Sequence, residues 1–134
     1  MISLARAPAI ACALVALTLA GCGPFGGESE EDKAGDVVTQ LIEARNSGDF
    51  ATVCGLLAEQ QVKGIEKASG SSCAQALSKL EAQGNATVRI DEVRVEGDRA
   101  TVDATLSQRG QAGQAQSILL VKEGGDWKVA QAGF

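Results

Sequence analysis

The chain has 134 residues, with 17 acidic against 12 basic side chains, a net charge of −5 at pH 7, and neither histidine nor tyrosine. A net negative charge without a cluster of lysine and arginine disfavours binding to nucleic acid, so we exclude nucleic acid as a partner. The lack of histidine removes the commonest general acid–base group and a common zinc ligand. A chain of this length can form one domain with one modest hydrophobic core.

The amino-terminal residues 1–21 are typical of a secretory signal peptide. Arg6 is followed by an uncharged, mostly apolar run over residues 7–20, which matches the short positive region and the apolar core of such signals. A membrane-spanning helix needs ~20 apolar residues, and this run is shorter. We therefore assign residues 1–21 to a leader that is removed during secretion.

The apolar run ends at Leu19-Ala20-Gly21-Cys22, which resembles the lipoprotein box of bacteria. The resemblance implies that Cys22 receives a diacylglyceryl group, with palmitate as an acyl chain, and becomes the first residue of the mature protein. Each buried CH₂ contributes ~0.8 kcal/mol, so two acyl chains hold a protein stably on a bilayer. We expect a lipid anchor at Cys22 on the extracytoplasmic face of a bacterial cell membrane. The alternative is a buried helix that happens to contain Cys-Gly.

The segment 22–35 is rich in glycine and acidic residues and contains Pro24. Glycine and proline disfavour regular structure, and the carboxylates keep the segment hydrated. We expect a flexible acidic tether here, followed by a folded domain over residues 36–134. The alternative is that the acidic run binds a cation or a basic partner.

The four cysteines have three expected fates. Cys12 is removed with the leader, and Cys22 carries lipid. Cys54 and Cys73 remain in a compartment where thiols oxidise, so we predict a disulfide between them. A redox pair would need the tight Cys-x-x-Cys spacing, and a structural zinc site would need four cysteine or histidine ligands. We therefore expect neither a metal nor a cofactor.

Helical periodicity dominates the first part of the domain. Apolar residues recur at helical spacing between Lys33 and Ser47, and Gly48 ends this pattern. Asp49 is a suitable N-cap for a second helix, whose apolar side begins at Phe50. The sequence therefore predicts two consecutive helices with a short turn between them.

The next segment is less regular, because Gly64 interrupts its pattern. We expect a short strand or a loose turn at Val62–Ile65. A third helix is predicted from Cys73 toward Gly84. A bridge from Cys54 to Cys73 would therefore join the second helix to the third.

From Asn85 onward the apolar residues recur at every second position, which is typical of half-buried strands. The alternation shifts by one residue at Asp91-Glu92, which predicts a bulge. The turn Gly124-Gly125-Asp126 precedes a last strand that has Trp127 and Val129 on one face. Three helices followed by four antiparallel strands favour an α+β fold with the helices packed on one face of the sheet.

Three segments carry a resemblance to a known superfamily: "RNSGDFATVCGLL", "VEGDRATV" and "LVKEGGDWKVAQAGF". They resemble small bacterial lipoproteins with a nuclear transport factor 2-like domain, over Asp36 to Phe134. The resemblance implies a curved four-stranded sheet wrapped into a cone, with helices at its wide end. Many members dimerise through the open face of the sheet, so a homodimer is an expectation of this resemblance.

The superfamily contains both enzymes and binding domains, so the fold alone does not decide the function. Its enzymes commonly place His, Tyr and Asp inside the cone, and this chain has neither of the first two. Asp91 and Asp103 are the remaining carboxylate candidates on strands. Strict alternation places Asp103 on the other face of the strand from Val102 and Leu106, so its side chain points toward solvent. We therefore predict no catalytic residue.

These observations favour a non-enzymatic accessory domain that binds a small apolar ligand in the cone or docks on an envelope protein. The candidate pocket-lining residues are Trp127, Val102, Leu106 and Val129. The alternative is a carboxylate-dependent enzyme of the ketosteroid isomerase-like or dehydratase-like type. A structural module without a ligand is a third interpretation. An internal cavity lined by apolar residues would favour ligand binding, and a carboxylate inside that cavity would favour the enzyme.

Overall fold

The computed structural model describes residues 27–80 and 85–132. The predictions for the leader at 1–21, for Cys12 and for lipidation of Cys22 therefore lie outside the described residues. Within the described ranges, helices precede strands, in the order α1 Glu30–Ser47, α2 Phe50–Leu56, α3 Glu59–Ser69, α4 Cys73–Ser78, β1 Thr87–Glu96, β2 Arg99–Ser107, β3 Gln114–Glu123 and β4 Asp126–Gln131.

The four strands form one antiparallel sheet in the order β1-β2-β3-β4, so each strand pairs with its neighbour in sequence. The register of β1 against β2 shifts between Ile90 and Glu92. This shift is the bulge that the sequence predicts, and it keeps Ile90 and Val93 on the same face as the core residues of β2. A second irregularity lies in β4, where Leu120 pairs with Val129 but Leu119 pairs with Gln131.

Side chains on one face of the sheet form the core together with the helices. Val102 and Ile118 face each other across β2 and β3, and both are fully buried. They belong to one cluster with Val38 and Leu41 of α1. The period-2 pattern of β2 thus supplies one apolar face, on which the apolar stripe of α1 packs. The predicted α+β fold, with helices on one face of a four-stranded antiparallel sheet, is confirmed.

The described residues contain four helices where the sequence predicts three. The segment at Val62–Ile65, expected as a short strand or a turn, lies within α3, and Gly64 does not break this helix. A single interior glycine costs about 1 kcal/mol. The start of α3 is held by contacts with β4, which compensate for that cost and which no local pattern reveals. The backbone N–H of Ala58 donates to the Val129 carbonyl at 2.8 Å, and Gln61 donates to the Ala130 carbonyl.

The first helix begins at Glu30, inside the segment assigned to the tether, so the domain starts six residues earlier than the predicted boundary at Asp36. Ser29 is the N-cap and forms a capping box with Asp32. The two residues satisfy each other's backbone donors, which otherwise lack partners at a helix start. The acidic residues near position 30 therefore stabilise a helix terminus as well as hydrating the chain.

The disulfide between Cys54 and Cys73 is present, with a separation of 19 positions. It joins α2 to α4, which are helices of 7 and 6 residues. Helices this short are marginal without tertiary support. The predicted bridge is thus confirmed, and it supports the two shortest helices of the domain.

The core cluster and the disulfide both lie within residues 34–129. No helix among the described residues has the length and apolar character needed to cross a membrane. Every described helix and strand lies within residues 30–131, so we expect residues 27–134 to fold without the leader.

Candidate ligand-binding site

A cavity of about 280 Å³ lies between the helices and the carboxyl-terminal half of β4. Its volume is close to the lower end of the range for small-molecule sites. Nine of its lining residues are apolar and three are polar. The apolar ones are Leu41, Phe50, Val53, Leu57, Ile65, Leu77, Leu80, Val129 and Ala132, and the polar ones are Arg45, Gln61 and Gln131.

The floor of the cavity belongs to the hydrophobic core. Leu41, Val53 and Val129 are all buried and come from α1, α2 and β4. Toward the mouth, Leu80 is 63% exposed, and Gln131 is also exposed. The site is therefore an apolar pocket whose exposed rim includes both Leu80 and the polar side chain of Gln131.

Two short helices form the wall between floor and mouth. Asp49 caps α2 by accepting from the backbone N–H of Thr52, and α2 presents Phe50 to the cavity. Leu77 reaches the cavity from α4. Because the Cys54–Cys73 bridge links these two helices, it holds two sides of the wall in one arrangement.

The outer edge of β4 is closed by the junction of α2 and α3. Leu57 forms an isolated bridge with Val129, and Lys128 donates to the Gly55 carbonyl. The bonds from Ala58 and Gln61 satisfy the carbonyls of Val129 and Ala130, which an edge strand would otherwise present to solvent. They also fix Leu57 and Gln61 at the cavity.

The described lining is mostly apolar and carries few chemically reactive groups. Among the described residues that line it there is no carboxylate, hydroxyl, thiol or phenol, and Arg45 is the one charged side chain. Acid–base or nucleophilic chemistry requires such groups within hydrogen-bond reach of a substrate. This arrangement can desolvate an apolar body and meet one polar group at the mouth.

The structure separates the four residues predicted to line a pocket. Val129 lines the cavity, whereas Trp127, Val102 and Leu106 are not among its lining residues. Val102 is fully buried in the centre of the core. Leu106 lies near the far end of β2 and pairs with Val88 of β1. Alternation identifies the inward face of a strand, but it does not say which end of that face a cavity adjoins.

Trp127 lines a second cavity of about 300 Å³, together with Asp36 and Leu56, and it also joins the first helix to the sheet. It is 4% exposed, and its indole N–H donates to Oε2 of Glu30 at 3.0 Å. The same oxygen accepts from Lys122, and Lys33 pairs with Oε1 at 2.9 Å. The Lys122 ammonium, followed by that of Lys33, lowers the pKa of Glu30 to about 2. These contacts fasten the start of α1 to β3 and β4.

The two carboxylate candidates lie on the other face of the sheet. Asp91 accepts from the Thr105 hydroxyl at 2.7 Å and from Arg89 at 2.8 Å, which lowers the pKa of Asp91. Asp103 accepts from Ser117 and from Arg94. Neither aspartate lines the cavity. The hydrogen bonds of the two aspartates form cross-strand networks on the outer face of the sheet. The homodimer contact expected on the open face of the sheet stays a prediction.

Sequence reasoning missed most of the cavity. Helical spacing places Leu41, Phe50 and Val53 on apolar helix faces, but no local pattern shows that they line a shared space. The helical stripes carry the signal that these residues face inward. Which stripes meet around a void depends on how α2, α3 and α4 are placed against β4.

Comparison with known proteins places this architecture in a class. A crystal structure of a protein proposed to be an NTF2-like transpeptidase, from Campylobacter jejuni, superposes with a TM-score of 0.53 at 19% identity, covering 72% of this chain and 96% of that one. An NTF2-like protein of unknown function from Cytophaga hutchinsonii gives a TM-score of 0.44 at 15% identity, covering 72% and 86%. The first superposition, together with the architecture described above, shows a nuclear transport factor 2-like fold.

The family is given by a second comparison. The family model "Low molecular weight antigen MTB12, C-terminal domain" matches residues 55–134, which is more than half of the chain, and the chain belongs to this family. No curated protein matches the chain in sequence. The fold and the family together fit a non-enzymatic accessory domain in general terms.

Proposed function

We propose that this protein is a lipid-anchored, extracytoplasmic accessory domain that binds a small apolar ligand in the cavity between its helices and β4. The single observation that carries the proposal is the apolar lining of that cavity. Its floor is formed by the core residues Leu41, Val53 and Val129. Docking on an envelope protein is the other mode of action that the sequence allows for such a domain.

A non-enzymatic role is supported by the groups that surround the cavity. Transpeptidation, the activity proposed for the Campylobacter jejuni protein, is an acyl transfer that commonly uses a serine or cysteine nucleophile. Cys54 and Cys73 are joined to each other. The cavity lining in the described part of the chain offers no other nucleophile. The carboxylate-dependent alternative is not favoured by Asp91 or Asp103, because both lie on the outer face of the sheet.

The proposed extracytoplasmic location is supported by the disulfide between Cys54 and Cys73. The disulfide is the kind of bond that persists in oxidising compartments and is rare in the cytoplasm. It agrees with the secretory leader and the lipoprotein box at Leu19–Cys22. The start of α1 at Glu30 leaves a short segment between Cys22 and the domain, so the proposed anchor would hold the domain near the bilayer.

Lipidation is tested on the full chain expressed in a bacterial host fed with radiolabelled palmitate. We expect label on the wild-type protein and on Cys12→Ser, and none on Cys22→Ser. Cys12 is the matched control because it also lies in the amino-terminal apolar run. Label that persists in Cys22→Ser would overturn the proposed anchor.

Ligand binding is tested with decanol as the probe, on residues 27–134 secreted under oxidising conditions and titrated calorimetrically. We expect Leu77→Trp, which fills the cavity, to weaken binding by about tenfold while unfolding remains cooperative. Leu119→Trp is the control, because Leu119 is 42% exposed and does not line the cavity. No decanol binding by the wild type, or equal binding by both variants, would contradict the proposed site.

A further inference from the structure

We infer that the ligand of the cavity is a single-chain amphiphile with one carboxylate head group, whose carboxylate lies against Arg45. The inference rests on the proposed binding function and adds the chemical class of the ligand. It follows from three features of the site: the aliphatic character of its walls, the placement of its polar groups, and the sign of its charge.

The walls favour a flexible hydrocarbon chain over a planar ring system. Eight of the nine apolar lining residues are aliphatic, and Phe50 is the one aromatic among the described lining residues. Aromatic ligands gain from stacked or edge-to-face contacts with aromatic side chains, and the cavity offers one such partner. Leucine, isoleucine and valine provide dispersion contacts that an alkyl chain can use along its whole length.

The polar groups are placed toward the mouth. Leu41 and Arg45 are four positions apart on α1, hence on the same side of the helix. Leu41 is buried, whereas Arg45 is partly exposed. On β4, Gln131 follows the buried Val129 and is exposed. An alkyl chain that reaches the floor at Leu41 and Val129 would therefore leave its head group beside Arg45 and Gln131.

The charge of the lining is opposite to that of the whole chain. Acidic residues outnumber basic ones by 17 to 12 in the sequence, yet the described lining contains one arginine and no acid. A guanidinium has five N–H donors and binds a carboxylate in a two-pronged geometry. A cationic head group would be repelled, and an alcohol would forgo the charge-assisted bonds.

Three probes with the same alkyl chain test the inference on residues 27–134 at neutral pH: decanoate, decanol and decyltrimethylammonium. We expect decanoate to bind at least tenfold more tightly than decanol, and the cation to bind most weakly. Arg45→Gln should weaken decanoate binding by about tenfold and thereby remove most of the preference for decanoate over decanol. Arg109→Gln is the matched control, because Arg109 is exposed in the turn between β2 and β3 and does not line the cavity.

The outcomes separate the inference from the function on which it rests. Equal binding of decanoate and decanol, or an unchanged preference in Arg45→Gln, would overturn the carboxylate class and leave apolar binding intact. Binding of none of the three probes would overturn both. Loss of the preference in Arg45→Gln but not in Arg109→Gln would establish the inference.

Discussion

The indole N–H of Trp127, in β4, donates a 3.0 Å hydrogen bond to the carboxylate of Glu30, the first residue of α1. The two residues are 97 positions apart in the chain. Lys122 donates to the same carboxylate and lies 5.2 Å from the centre of the Trp127 ring. This cluster fastens the start of α1 to β3 and β4.

Glu30→Gln should lower the free energy of unfolding, because the neutral amide loses charge-assisted bonds to Lys122 and Lys33. The measurement is urea unfolding of residues 27–134. Glu31→Gln is the control: it removes the same charge from the same helical turn, and Glu31 is exposed. Equal effects of the two substitutions would show that the carboxylate acts only on the helix dipole.

The contribution of Glu30 should depend on pH in a defined direction. The pKa of this carboxyl is about 2 in the folded protein against an ordinary value of 4.5. A lowered folded-state pKa stabilises the fold above the unfolded-state value, and that stabilisation is lost as the pH falls through the folded-state value. The difference in stability between wild type and Glu30→Gln should therefore be constant above about pH 5.5 and shrink between about pH 4.5 and pH 2. A difference that grows on acidification would refute this account.

Removing the disulfide should destabilise the domain by roughly 3 kcal/mol, the chain-entropy value for a loop of this size. The variant carries Cys54→Ala together with Cys73→Ala, and the measurement is denaturant unfolding. Because the bridge holds two walls of the cavity together, decanol binding should also weaken in this variant.

Reduction of the wild type gives an independent check. Dithiothreitol should reproduce the loss of stability in the wild type and have no effect on the double variant. If the double variant bound decanol as tightly as the wild type, the bridge would have no part in shaping the cavity.

Two adjacent residues of β3 should differ sharply in their effect on stability. Ile118→Ala removes a fully buried side chain and should cost about 2–5 kcal/mol, the range for large-to-alanine changes in a core. Leu119→Ala changes a side chain that is 42% exposed on the opposite face, and its cost should be below about 1 kcal/mol. Both values come from urea unfolding, and similar costs would contradict the assigned faces of the sheet.

The spacing of apolar residues along the chain is sufficient to predict much of the architecture. The alternation of β2 and the shift at Asp91-Glu92 predict the strands, their order along the chain and the bulge, because side-chain direction in a strand depends only on position. The pairing of Cys54 with Cys73 also follows from the residues, since no other partners remain in the expected compartment. These features depend on neighbours in sequence or on a simple inventory of residue types.

Long-range contacts account for what the pattern did not reveal. The attachment of the α1 start to the sheet comes from Lys122 and Trp127, and the start of α3 is bonded to β4. The cavity depends on the second set of contacts, because it is the space left when α2, α3 and α4 are positioned against β4 by the bonds from Ala58 and Gln61 and by the disulfide. A one-dimensional pattern shows which side of each element is apolar. The space between elements is set by their relative placement, which comes from bonds between residues far apart in the chain.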